Sequence, residues 1–362
     1  MDDVILFGRF DQHEYGSLLY PLVMERVFSD LLPNKNVLVA SLTRHNLPHC
    51  VAKKTISIKK ALKMSEDDAT LFMVGDEVIA GPTTIGKYPF TLSRVEVGNT
   101  RKIVYDSVDT SHFVDGAETA KFVPVNELLS ETCSLSVRDK CSQIQLQRVG
   151  CRGPQLAPDL TTVMSSYISV AELENKSSYV AKQIIENYIN GYLVVQLAQE
   201  ELKGKEAVLA KGLSETSLTL DLPIVFITNG IEQEGDSKLD GIDSIVSLLD
   251  DKITYSIHAD GNIFDVISLI RNGSCYCGSS LHGLITAMSF SVPRVALLSS
   301  SEKQINYMDT WDLSHMPRVV TPAQLPVAVA TAIDTPSEDL TLLSHNLTHT
   351  YLDRFKGLSA LF

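Results

Sequence analysis

Short uninterrupted apolar runs that close on a glycine or a turn, each followed by enough chain for a helix, constrain this sequence more than any other feature. Val4-Ile5-Leu6-Phe7-Gly8 precedes a helical apolar spacing over Leu18 to Leu32, and Asn36-Val37-Leu38-Val39-Ala40 precedes a short helix over Ser57 to Lys63. Thr70-Leu71-Phe72-Met73-Val74-Gly75 closes a third unit of the same kind. A strand buried on both faces reads as a continuous apolar run rather than an alternation, and parallel strands need helix-length connections. The fold expected is therefore α/β, with doubly wound parallel sheets. Further along, Val125 to Ser130 reads as a helix, Cys133 to Val137 as extended and Ser142 to Val149 as a helix, while residues 83–122 fit a pair of strands or an insertion.

The pattern restarts at Gly191-Tyr192-Leu193-Val194-Val195-Gln196-Leu197 and continues through strands at 223–227, 253–256, 274–277 and 293–297. At 362 residues and 44% apolar content, two cores are the natural expectation. The division read from the pattern is a Rossmann-like domain over 1–165, a helical linker over 166–190, a second Rossmann-like domain over 191–335 and a C-terminal helix over 336–362. In such sheets ligands lie outside the carboxyl ends of the strands, which for a pair of domains points to the cleft they face.

A net charge of −13 argues against gripping nucleic acid or an acidic membrane, since either needs a basic field. No run reaches the roughly 20 apolar residues that span a bilayer, and the start Met-Asp-Asp-Val lacks a basic leader, so the expected location is cytoplasmic. Six cysteines occur without a CxxC pair, and the acidic loop around Asp236 does not reproduce an EF-hand series, so no metal is expected. Cys275 and Cys277 alternate around Tyr276, which suits packing on one side of a sheet.

The most informative stretch is Cys275-Tyr276-Cys277-Gly278-Ser279-Ser280-Leu281-His282-Gly283-Leu284, a short strand, a Gly-Ser-Ser turn and a helix. The turn would present backbone N–H groups and two hydroxyls at a helix N-terminus, where peptide dipoles favour an anion, with His282 in the first turn. As plain structure, the same residues would cap the helix and fill a polar gap.

Ser280-Leu281-His282-Gly283, followed by an apolar helix and Val292-Pro293-Arg294-Val295, resembles the polysaccharide pyruvyltransferase family. Leu135-Ser136-Val137-Arg138-Asp139 is similar to that family's Ser-Val-Arg-Asp element, Ala157-Pro158-Asp159 to the Pro-Asp after it, and Phe10-Asp11 through Glu14-Tyr15-Gly16-Ser17 to its amino-terminal loop. Two departures stand out: Ser280 where many relatives carry arginine, and Glu14 and Ser17 where an Asn and an Asp are common. The resemblance implies a GT-B-like pair of Rossmann-type domains, with the acceptor on the N-terminal side and the donor on the C-terminal side. It implies phosphoenolpyruvate as co-substrate with no further cofactor, and a sugar acceptor in a glycan or lipid-linked glycan. The product would be a pyruvate ketal, released with phosphate during polysaccharide, including exopolysaccharide, biosynthesis.

That chemistry needs cations or convergent donors for a carboxylate and a phosphate, a proton for the methylene carbon and a base for the sugar hydroxyls. Arg138 matches the family's arginine and is expected to hold the donor's anionic groups through its planar fork. His282 is expected to transfer the proton, because an imidazole with an ordinary pKa of about 6.5 works in either direction near neutrality. Gly278, Ser279, Ser280, Leu281 and Lys303 complete the expected donor site, and Asp11, Glu14 and Tyr15 the expected acceptor contacts. A glycosyltransferase or nucleotide-sugar enzyme on the same fold, or an inactive sugar- or anion-binding relative, is the alternative; a homo-oligomer is compatible with each.

Overall fold

The computed structural model describes residues 3–8, 10, 14–41, 55–66, 69–75, 102–110, 134–148, 150–151, 153–197, 204–228, 240–259, 262–297 and 302–362. The chain divides into two units, the first built from Met1–Gln12, Ser17–Val163 and His349–Phe362, the second from His13–Gly16 and Met164–Thr348.

Unit 1 carries a seven-stranded sheet. Its elements are β1 (Asp3–Phe7), α1 (Tyr15–Leu31), β2 (Asn36–Ser41), β3 (Thr55–Ser57), α2 (Ile58–Glu66), β4 (Thr70–Val74), β5 (Ile103–Val108), β6 (Ser134–Val137), α3 (Lys140–Arg148) and β7 (Gln155–Leu156). The strand order is β3-β2-β1-β4-β5-β6-β7, every pairing parallel. The continuous apolar runs sit where both faces are covered: all of β4 and four of five β1 residues are buried, as is all of β5 despite its Asp106 and Ser107. Each such Val, Leu or Ile contributes about 1.5–3 kcal/mol when withdrawn from water. The pairing of β5 with β6 shifts register between Tyr105 and Val108, and Ser107 takes a φ of 51° there. Of residues 83–122, only 102–110 lie among the described residues, and they supply one strand, β5.

Unit 2 carries a five-stranded parallel sheet ordered β10-β9-β8-β11-β12. Helices α4 (Met164–Tyr167), α5 (Val170–Lys176) and α6 (Tyr179–Asn187) open it, so residues 166–190, expected as a linker, are part of this unit. Ser169 and Ser178 cap α5 and α6 by accepting backbone N–H bonds, which explains the break between two short helices. Then follow β8 (Leu193–Gln196), α7 (Glu206–Leu220), β9 (Ile224–Ile227), α8 (Asp240–Val246), β10 (Tyr255–His258), α9 (Ile263–Asn272), β11 (Cys275–Gly278), α10 (Leu281–Ser289), β12 (Arg294–Ala296), α11 (Lys303–Trp311) and α12 (Leu325–Ile333). The last helix, α13 (Ser337–Leu358), is shared: residues through Thr348 belong to unit 2 and those from His349 to unit 1. The expected separate C-terminal helix over 336–362 is thus divided between the two bodies. No helix among the described residues is long and apolar enough to cross a membrane.

Candidate functional site

In unit 2 the strand order reverses between β8 and β11, whose carboxyl ends align at Gln196 and Gly278. Residues Ser279 to His282 leave the sheet at this switch point, where open α/β sheets bind their ligands. Ser280 is the N-cap of α10, its hydroxyl accepting from the Gly283 N–H at 3.3 Å, and Leu281 and His282 begin the first turn. Ser279, Ser280 and His282 are partly exposed, whereas Gly278 and Leu281 are buried.

Two side chains and one backbone carbonyl hold the turn from beneath. The Tyr276 hydroxyl lies 2.9 Å from Gln196 Oε1 and 3.2 Å from the Ser280 carbonyl oxygen, sharing one proton between two acceptors. Burial first, then the neighbouring Cys277 and Tyr15, push this phenol well above its ordinary pKa, so it remains a neutral donor. The Gln304 amide donates to the carbonyls of Gly278 at 3.3 Å and Ser280 at 2.9 Å. Gln304 follows Lys303, the first residue of α11, so these bonds bring the N-terminus of a second helix, and Lys303 with it, against the turn. Gln196 completes the set, its backbone oxygen accepting from the Ser279 N–H at 3.0 Å. A Cβ at Gly283 would stand 2.7 Å from Tyr276 Cζ and closer to the Tyr276 hydroxyl and Gln196 Oε1, so only glycine allows α10 to start this near the strand ends.

Residues Tyr15 and Gly16 also belong to unit 2. Tyr15, expected at sugar hydroxyls, is buried instead, its oxygen 2.7 Å from Thr286 Oγ1. Thr286 donates its one hydroxyl proton to the His282 carbonyl at 2.7 Å, so Tyr15 is the donor to Thr286. Burial raises the Tyr15 phenol above its ordinary range, the Thr286 bond opposing this only in part. Glu14 is exposed, and Asp11 lies outside the described residues.

Arg138 stands in unit 1, at the carboxyl end of β6, only 1% exposed. Its guanidinium donates to Asp109 and, at 3.5 Å, to Asp159, two buried carboxylates. Asp159 also accepts from the Tyr20 hydroxyl at 2.8 Å and from Thr161, fixing the three-ten turn Leu160–Val163. The guanidinium expected to face a donor is thus engaged with the protein's own carboxylates. Next to it in sequence, Asp139 caps α3 through the Ser142 N–H and hydroxyl.

Sequence reading missed Gln196, Tyr276, Thr286 and Gln304 as parts of the site, and Asp109 as the partner of Arg138. Gln196 carried a signal, a polar residue at the carboxyl end of an otherwise apolar strand. Thr286 carried another, one helical turn beyond the histidine. The others depended on contacts between elements.

The family resemblance holds: residues 123–301 match the model of the family described as Polysaccharide pyruvyl transferase. No curated protein sequence matches the chain. Among solved structures it is similar to the UDP-GlcNAc 2-epimerase of Methanocaldococcus jannaschii in complex with UDP-GlcNAc and UDP, at 13% identity and a TM-score of 0.61, covering 96% of this chain and 100% of the other. The UDP-GlcNAc 2-epimerase of Neisseria meningitidis bound to UDP-GlcNAc matches at 11% identity and 0.64 over 98% of each chain. A glycosyltransferase from Rickettsia africae matches at 10% identity and 0.61, over 99% of this chain and 97% of its own. These likenesses establish the fold class, two Rossmann-like domains of the GT-B-like kind.

Proposed function

With residues 123–301 matching the polysaccharide pyruvyl transferase family, we propose that this protein transfers the enolpyruvyl carbons of phosphoenolpyruvate to two hydroxyls of a sugar, forming a pyruvate ketal and releasing phosphate. The observation that carries the reading is the Gly278-Ser279-Ser280 turn at the β8–β11 switch point, with His282 in the first turn of α10 and Lys303 starting α11 beside it. A helix N-terminus, two hydroxyls, an imidazole and an ammonium are what a small dianion asks of a site. Both flanking carbonyls, of Gly278 and Ser280, are turned down onto Gln304 and Tyr276. Fewer acceptor oxygens are then left to repel an anion.

In this reading His282 gives a proton to the methylene carbon of phosphoenolpyruvate, which becomes the methyl group and leaves the adjacent carbon electron-poor. One sugar hydroxyl adds to that carbon and a second displaces phosphate by cleavage of the carbon–oxygen bond. The two hydroxyls lose two protons, one replacing the proton spent on carbon and the other leaving with phosphate. Ser279, Ser280 and Lys303 hold the phosphate, with Gly278 and Leu281 setting the path of the turn. Glu14 and Asp11 are the acceptor-side carboxylates of this proposal, and Glu14 is exposed as that role requires. Within the described contacts Arg138 joins the ends of β5, β6 and β7 through Asp109 and Asp159. No resident metal has a role, so turnover in a chelator is expected to equal turnover without it.

Ligand-dependent thermal stability tests the donor without knowledge of the acceptor, since a ligand held only by the folded state stabilises it by about 2.7 kcal/mol at a hundredfold excess over its dissociation constant. Phosphoenolpyruvate is expected to raise the midpoint more than phosphate or pyruvate does, and the gain is expected to shrink in His282→Ala. A uridine-diphosphate sugar is the rival donor, favoured by the ligands of the epimerase structures. A rise with uridine nucleotides and none with phosphoenolpyruvate would overturn the proposal in its favour.

A further inference from the structure

Resting on the reading of His282 as the proton-transferring, phosphate-facing group, we propose that Tyr15 and Gly16 are positioning residues that seat the His282 ring. A Cβ built on Gly16 would fall 2.7 Å from both Cε1 and Cγ of His282 and closer still to Nδ1, so the imidazole edge rests on the bare Cα of residue 16. The residue before it is pinned on the same face of the same helix: Tyr15 donates to Thr286, which donates to the His282 carbonyl. Residues 282 and 286 are four apart and therefore stacked on one side of α10. The Tyr15-Gly16 dipeptide thus clamps two successive turns, one through a buried hydroxyl and one through the absence of a side chain.

The division of the chain agrees with this. Residues His13–Gly16 cluster with unit 2, while the rest of α1, from Ser17, clusters with unit 1. The start of α1 and the helix that carries His282 therefore belong to the same unit. A ring held against backbone loses most of its rotamers before substrate arrives, the kind of preorganisation that keeps a proton-transferring group within reach of one atom. Glycine at 16 is therefore a requirement of the site, beyond any preference of a helix start.

The experiment is a double-variant cycle on the full chain with Gly16→Ala, His282→Ala and both together, and with Tyr15→Phe, which removes only the hydroxyl. Three quantities are read: the thermal midpoint without ligand, the pH titration of the His282 Cε1 proton by NMR, identified by its loss in His282→Ala, and the affinity for phosphoenolpyruvate by calorimetry at pH 6 and pH 8. Gly16→Ala is expected to lower the midpoint by several degrees, to displace the His282 titration and to weaken phosphoenolpyruvate about tenfold, equivalent to about 1.4 kcal/mol. The double variant is expected to regain the midpoint of His282→Ala, because the new methyl enters the space the ring vacates, and to show no further loss of affinity. Tyr15→Phe is expected to weaken binding a few-fold and to move the same resonance. Additive midpoints with an unmoved His282 titration would overturn the seating. Equal phosphoenolpyruvate affinity in wild type and His282→Ala would instead overturn the function on which it rests, and the ligand-free measurements keep the two failures apart.

Discussion

Asp265, inside unit 2, shows how far a single side chain in this protein departs from what its letter announces. It reads as one residue of an apolar helix, yet it is fully buried, with Oδ1 accepting from the Ser178 N–H at 2.7 Å and Oδ2 3.2 Å from His258 Nε2. Burial alone would raise its pKa, but the histidine contact and the Ser178 bonds outweigh it and hold the carboxyl below its ordinary value. The unfolded chain then binds more protons across the window between that lowered value and about 3.9, so the stabilisation is complete above the window and is lost as pH falls through it. Asp265→Asn is expected to cost about 1–3 kcal/mol at pH 7, with the gap from wild type closing below roughly pH 4; equal gaps at pH 7 and pH 3.5 in denaturant titrations would refute the assignment. Cys275 and Cys277 were legible as packing residues, and both are wholly buried, with burial raising the Cys277 thiol to about 12. Alkylation of the native protein followed by mass spectrometry should leave both unmodified until the chain is unfolded. No local pattern at Tyr15 tells a solvent-facing hydroxyl from one bonded to a threonine far along the chain.

At the scale of elements, legibility followed the length and continuity of the apolar run. Strands β1, β2, β4, β8, β9 and β11 fall where the sequence places them, because burial on both faces demands the uninterrupted apolar letters that were read. Strands β3 and β7 have three and two residues, too few to show a period, and Ser57 ends β3 rather than beginning a helix. Strand β5 was hidden for another reason: Asp106 and Ser107 interrupt it, and both are buried, Asp106 bonded by Tyr351 and Arg354 of α13. The expected helix at 125–130 lies outside the described residues, as does the acidic loop at Asp236. Helix α10 offers the element-level test. Ser280→Ala removes its cap and is expected to cost about 1 kcal/mol. Gly283→Ala should cost about 1–3 kcal/mol by overpacking against Tyr276 and Gln196, and should weaken phosphoenolpyruvate binding as the turn shifts. A Gly283→Ala protein with wild-type midpoint and affinity would show that the turn tolerates displacement.

For the whole molecule the decisive feature is that both ends of the sequence are shared out against their order. The last helical residues return to unit 1, where Phe355 packs edge-on against Phe28 at 5.1 Å and Phe72 at 6.1 Å, with Phe362 completing the cluster. Phe355→Ala is expected to destabilise unit 1 by about 3–5 kcal/mol, read as loss of protection from hydrogen exchange in β1 and β4; unchanged protection there would show that the tail is dispensable. Nothing in the composition of α13 announces this, because an amphipathic helix specifies that it needs an apolar neighbour and leaves the neighbour's identity open. The same limit separates the two parts of the candidate site. The sequence by itself determined the alternation of strand and helix, the parallel sheets, the Gly-Ser-Ser turn before α10 and the histidine in its first turn, because these depend on residues close together in the chain. Only the tertiary structure decided that Gly16 underlies that histidine, that Tyr15 is spent on Thr286, and that Arg138 is held by Asp109 and Asp159. Each of these is a contact between residues distant in sequence, whose partner is fixed by how elements pack and not by any local pattern.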